Sequence, residues 1–178
     1  MYLGYQNGVI KFYTETPLNQ ALYNLDKVEE TDKEYVLEGD EYILKTPEWE
    51  EEQLNKAKEA KYQEANTKTN DYLQSGEALY EFKPNIHIEA TDGNIAKMNA
   101  YLTGLQAGAF TTVAWVSKED EILTLNAEDV STILLGLGQV QSNVWCSQFV
   151  VYKNAIDEAI TIEDVNNIEI DYSTPVEA

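Results

Sequence analysis

The residues best equipped for chemistry in this chain of 178 are one cysteine, Cys146, one histidine, His87, and several short acidic runs. A cysteine nucleophile needs a neighbouring base to form the thiolate. The only imidazole lies far from it in sequence, in a strand-like run. Cys146 sits inside an apolar helical pattern, Val144-Trp145-Cys146-Ser147, where the expectation is a small buried hydrophobe. A single cysteine excludes an internal disulfide, and a single histidine provides no His/Cys framework for a metal. The acids of Glu48 to Glu52 stand at a helix start, where the macrodipole favours them. Glu38-Gly39-Asp40-Glu41 and Glu119-Asp120-Glu121 fall in hairpin turns and lack the alternation and terminal glutamate of a calcium loop. Paired carboxylates of the kind that hydrolyse glycosidic bonds have no distinctive spacing here, because any acidic chain supplies them. Gly104-Leu105-Gln106-Ala107-Gly108 ends a helix where a phosphate cradle would begin one, and Gly136-Leu137-Gly138 lies within a helical stretch. No nucleophile-elbow pattern is present. The expectation is a protein that is not an enzyme, with no catalytic, metal or cofactor residue assigned and its partner-binding residues undetermined.

Composition narrows the class further. Thirty-two acidic and twelve basic side chains give a net charge of −20, and every basic residue is lysine. Without guanidinium forks and with this acidic excess, nucleic acid and anionic membrane surfaces are poor partners. The ordinary reading of the charge is a well-solvated surface. Imitation of nucleic-acid charge is the sharper alternative. A hydrophobic content of 43% suffices for a packed core, and no apolar run approaches the roughly 20 residues that a membrane span requires. Met1-Tyr2-Leu3-Gly4 leads straight into polar residues, unlike a signal peptide, so cytoplasmic synthesis is expected. Twelve tyrosines and three tryptophans fit core and cross-strand packing. Exposed together, they would form a protein- or glycan-binding face.

The elements that must position these groups form an α+β pattern. Residues 1–46 read as an N-terminal β-hairpin module. Tyr2–Tyr5 and Val9–Tyr13 flank Asn7-Gly8, and Tyr35–Leu37 and Tyr42–Leu44 flank the Glu38–Glu41 turn. Pro17 to Leu25 is expected as a turn of helix. A module this small has little core of its own. Thr46-Pro47-Glu48 starts a connecting helix over 47–75 whose apolar positions are sparse, so it is expected to be largely exposed; Ser75-Gly76 ends it. Residues 76–172 read as an α+β domain, a small antiparallel sheet packed on a long C-terminal helix. Leu79 to Ile88 is a strand bent at Pro84-Asn85. Thr91 caps a helix with the stripe Ile95, Met98, Leu102 and Leu105, closed by Gly108. Phe110–Val116 and Ile122–Leu125 form a hairpin with Val113 and Trp115 on one face, and Asn126 caps the next helix. That helix is long, about Ala127 to Ala159, and carries Val130, Ile133, Leu137, Val140, Val144, Val151 and Ala155 near heptad spacing. A kink is expected at Gly136 or Gly138. Thr161-Ile162-Glu163-Asp164 starts a last short helix, and 173–178 is expected as a flexible tail.

Several of these pieces, taken in order, carry a resemblance. They are Tyr80-Glu81-Phe82, Thr91-Asp92-Gly93-Asn94-Ile95, Phe110 with Trp115, Glu119-Asp120, Leu123-Thr124-Leu125-Asn126-Ala127-Glu128-Asp129, and Phe149 to Ile156. The segment from about Ala60 to Asp164 resembles a domain of unknown function found in bacteriophage and prophage tail-associated proteins. Lys118 and Glu121 broaden the short acidic turn of that pattern, and Ile86-His87-Ile88 has no counterpart in it. The family transfers no catalytic residue. The resemblance implies a structural tail-tip or fibre subunit, or a tail-fibre assembly factor, acting through contacts with other tail or fibre proteins. Such a protein would be made in the host cytoplasm and then carried in the virion tail, with homo-oligomerisation as a trimer or hexamer. An acidic inhibitor of a host nucleic-acid-handling protein and a glycan-processing tail enzyme are the competing readings.

Overall fold

The computed structural model describes residues 1–172; the tail expected at 173–178 lies outside them. The fold is α+β, and the chain divides into two compact units, Met1–Asn55 and Lys56–Ala178.

In the first unit, β1 (Tyr2–Gln6) and β2 (Val9–Thr14) form the expected antiparallel hairpin. Its turn places Asn7 at φ 52° and Gly8 at φ 77°, the left-handed pair that matches the twist of a two-residue hairpin. A third strand, β3 (Lys27–Glu30), pairs with the other edge of β1, giving the order β2-β1-β3. The helical turn expected over Pro17–Leu25 is instead a series of turns ending at Asn24, φ 51°. The reason is packing on β1. A Cβ added at Gly4 would lie 2.9 Å from both Leu18 and Leu25, so this segment must fold flat over the strand rather than coil away. Leu3 and Leu25 are the buried apolar residues of the unit. A second hairpin, β4 (Tyr35–Glu38) and β5 (Glu41–Leu44), turns at Gly39, φ 62°. Tyr13 of β2 meets it through Tyr35 and Tyr42, with ring centroids 5.4 and 5.9 Å apart. Helix α1 (Pro47–Ser75) starts where the sequence places it: Thr46 Oγ1 accepts from the Trp49 N–H at 3.2 Å.

The later turns of α1 belong to the second unit; the helix is largely exposed or half-buried, as expected, except along one stripe. Ala65, Thr69 and Leu73 are buried in the main core. The apolar residues are few because small ones suffice where the helix packs closely. The single bent strand expected over Leu79–Ile88 is a hairpin, β6 (Leu79–Lys83) and β7 (Ile86–Glu89). Asn85 at φ 63° turns the chain back instead of bending it. Helix α2 (Asp92–Gln106) is capped by Thr91 and buries Met98 and Leu105. The next hairpin comprises β8 (Val113–Val116) and β9 (Ile122–Leu125). Phe110, expected as part of its first strand, precedes it, and Phe110 remains partly exposed. Its ring lies against Gly104, where an added Cβ would fall 2.3 Å from Cζ, and that contact draws the residue out of the strand.

The long helix is three pieces: α3 (Ala127–Asn143), a π-helical segment Val144–Phe149, and α4 (Val150–Glu158). α3 runs unbroken through both glycines, and the departure from α-helical geometry comes later, at Val144–Phe149. Gly136 serves the packing of β6 instead, since a Cβ there would lie 2.3 Å from the Tyr80 ring. The π segment adds one residue to a turn, and the inward face moves by one position. Val130, Ile133, Leu137 and Val144 are buried as expected, but beyond the π segment Ile156 is the buried residue and Val151 is 47% exposed. Trp145, Phe149 and Tyr152 pack on the core in this displaced register.

After α5 (Ile162–Asn166), capped by Thr161 and Asp164 in a reciprocal box, residues 168–172 form a strap without regular structure. Lys61 and Lys68 of α1 donate to the carbonyls of Ile168 and Ile170, at 3.3 and 3.2 Å. Tyr172 is stacked on Tyr72 at 5.0 Å, meets Tyr152 edge-on, and shares a 2.5 Å hydrogen bond with the buried Thr69 hydroxyl.

Candidate protein-binding face

The residues singled out for chemistry do not converge. Cys146, expected to be buried, is exposed. It lies two positions from buried Val144, on the opposite side of the helix, and its Sγ is 3.9 Å from Ser142 Oγ. His87 pairs with an acid instead: its Nδ1 lies 2.7 Å from Glu119 Oε1, while its backbone N–H donates to Glu119 Oε2 at 3.0 Å. Among the described residues no group of three His, Cys, Asp or Glu side chains is placed to hold a metal ion, and no helix is long and apolar enough to cross a membrane. The Glu38–Glu41 cluster lies at the β4–β5 turn, with Glu41 3.9 Å from Lys11.

The Ser117–Glu121 turn is held more firmly than a surface turn requires. Ser117 N–H donates to Glu121 O at 2.9 Å and Asp120 N–H to Ser117 O at 3.1 Å. Asp120 takes the left-handed conformation, φ 61°, so this is a three-residue loop built on a tight turn and a bulge. The buried Ser117 hydroxyl accepts the N–H groups of Glu119 and Glu121. Lys118 N–H donates to His87 O at 2.9 Å, completing with Glu119 a two-point attachment to the backbone of β7. The outward N–H and C=O of His87, which an edge strand would leave open, are thereby both satisfied. Lys118 Nζ reaches Glu89 at 2.9 Å and Gly76 O at 3.2 Å. The His87 N–H, the imidazole and the Ser117 hydroxyl favour the charged carboxylate and hold Glu119 down at about 2. No local pattern joins Glu119 to His87 in the sequence; the pair exists only once two hairpins are docked.

This bracing holds the β8–β9 hairpin in place. Its inner side chains, Val113, Trp115, Leu123 and Leu125, pack on the core, and Trp115 meets Tyr101 edge-on at 6.2 Å. Its outer side chains, Ala114, Val116, Ile122 and Thr124, are all exposed. Val116 and Ile122 are directly opposite each other, 57% and 77% exposed. A cross-strand pair of β-branched residues facing water on a hydrogen-bonded support makes a small apolar patch. Beside it is a hollow of about 250 Å³, lined among others by Trp115, Lys118, Glu89 and Asn94. The alternation of Val113 and Trp115 predicts the inner face. The outer face is implied by the same alternation, but no local signal marks it as a contact surface.

No family model, no curated protein and no solved structure matches the chain.

Proposed function

We propose that this chain is a non-enzymatic protein that works through protein–protein contacts, set in a bacteriophage tail as a tail-tip or fibre subunit or as a fibre-assembly factor. The observation that carries the contact role is the Val116–Ile122 pair, exposed on a hairpin whose turn is anchored to a second hairpin through Glu119 and Lys118. Rigid apolar surface costs little ordering on binding, which favours association. The tail setting rests on the ordered resemblance between Tyr80 and Ile156 and on nothing else. Self-association as a trimer or hexamer belongs to the same reading. Mass spectrometry of purified particles tests it, together with fibre assembly after deletion of the gene. Presence in particles identifies a virion subunit, and absence with defective fibres identifies an assembly factor. Absence with normal fibres rejects the tail reading.

The charge of −20 supports a second reading, imitation of nucleic acid toward a basic host protein. Such binding would collapse between low and high salt and would not depend on Val116 or Ile122.

A further inference from the structure

We propose that the free edge of β9 and the apolar outer face of the β8–β9 hairpin take up an extended, lysine- or arginine-bearing segment of a partner protein as an added strand. The inference rests on the reading of this chain as a contact protein and names the surface and the chemistry of its partner.

The register sets the geometry. Ser117 and Glu121 close the turn with a hydrogen bond, so bonded pairs recur at Trp115–Leu123 and Val113–Leu125, with Val116–Ile122 and Ala114–Thr124 as the non-bonded pairs between them. The N–H and C=O groups of Ile122 and Thr124 therefore point away from β8. Among the described residues β9 pairs with β8 alone, and no other backbone hydrogen bond reaches Ile122 or Thr124. The outer edge of β8 is different, because the hollow lined by Ile88, Glu89 and Asn94 adjoins it. An added strand on β9 would gain main-chain bonds at Ile122 and Thr124 and set alternate side chains beside Val116 and Ile122.

Charge selects the occupant. Exposed Asp120 and Glu121 precede the β9 edge and exposed Glu128 lies just beyond it, while the lysine nearest in sequence, Lys118, is already paired with Glu89. A cationic segment with β-branched residues matches both the rim and the centre. A second copy of this chain would bring its own acids against these and is disfavoured in this position.

The test uses the full chain with three ten-residue probes: alternating valine and lysine, alternating valine and glutamate, and alternating glycine and lysine. Binding is followed by amide NMR shifts and hydrogen exchange. The valine–lysine probe should protect the Ile122 and Thr124 amides and bind at least tenfold more tightly than either other probe. The double variant V116D/I122D, checked for native circular dichroism, should lose the preference for the valine–lysine over the glycine–lysine probe while still rejecting the valine–glutamate probe. Equal binding by the glycine–lysine probe, protection at other amides, or a preference for the valine–lysine over the glycine–lysine probe that survives in the double variant would each overturn the proposal. So would a concentration-dependent dimer of the wild-type chain that V116D/I122D abolishes, because the occupant would then be a second copy. Retention of V116D/I122D in tail particles would reject this surface while leaving the tail role standing. Absence of the chain from particles, with normal fibres, would reject the role and leave the probe measurement to decide the surface.

Discussion

Two hairpins of this protein have the same strand length and opposite circumstances. Both β4–β5 and β8–β9 pair four residues with four through a tight acidic turn. In β4–β5 no residue is buried, and Leu37 and Ile43 face water. In β8–β9 every second residue packs on helices, and Leu125 is fully buried. Two strands alone are marginal in water, so the hairpins are distinguished by the support beneath them. Only a hairpin fixed from below can offer its upper face as a defined surface.

The sharpest way to break the comparison is truncation of the supporting face. Leu125→Ala should cost about 3 kcal/mol of stability in urea unfolding, whereas Leu37→Ala on the exposed hairpin should change it by less than about 0.5 kcal/mol. Similar effects of the two would show that β4–β5 has a hidden support. Next in size is Gly136→Ala. The added methyl collides with the Tyr80 ring, and a loss of about 2 kcal/mol is expected in thermal or urea melts. A neutral or stabilising result, as for an ordinary glycine within a helix, would mean that β6 does not sit that close. Asn126→Ala removes the side chain that accepts from the N–H groups of Glu128 and Asp129 where β9 passes into α3, and about 1 kcal/mol should be lost. The smallest effect is confined to acid. The ordinary carboxyl value of 4.5 falls to about 2 for Glu119 in the folded chain. Its contribution is thus present above pH 4.5 and is lost as pH falls toward 2. Glu119→Gln should flatten the decline of the urea midpoint across that window and leave its shape near neutral pH unchanged. An identical acid profile would separate the turn from β7.

Much of this architecture is legible because its signals are local. Asn7-Gly8 demands a left-handed turn, and Thr91, Asn126 and Thr161 each cap a helix through an N–H two or three residues ahead. Strand β3 escapes notice in the sequence because Lys27-Val28-Glu29-Glu30 offers one apolar side chain; it supplies backbone for the open edge of β1. Cys146 and Val151 depart from expectation for different reasons: Cys146 is two positions from buried Val144 and so on the far side of the helix, whereas Val151 follows the π segment. Helical periodicity assumes unbroken phase, and one added residue in the π segment rotates everything after it. The candidate face is half legible: alternation separates Trp115 from Val116, but the bond between Glu119 and His87 spans 32 residues, and only the fold creates it.

The strap at residues 168–172 has a kinetic consequence. Its contacts with α1 join residues as much as 107 positions apart, among the longest loops the second unit has to close. Such contacts are paid for in chain entropy before they return anything. The clasp of Tyr172 on Tyr72 and Thr69 should therefore be a late event in folding, arriving after the hairpins and α3 have assembled. Loss of that clasp, as in Tyr172→Ala, should quicken unfolding while leaving the rate of initial folding almost untouched.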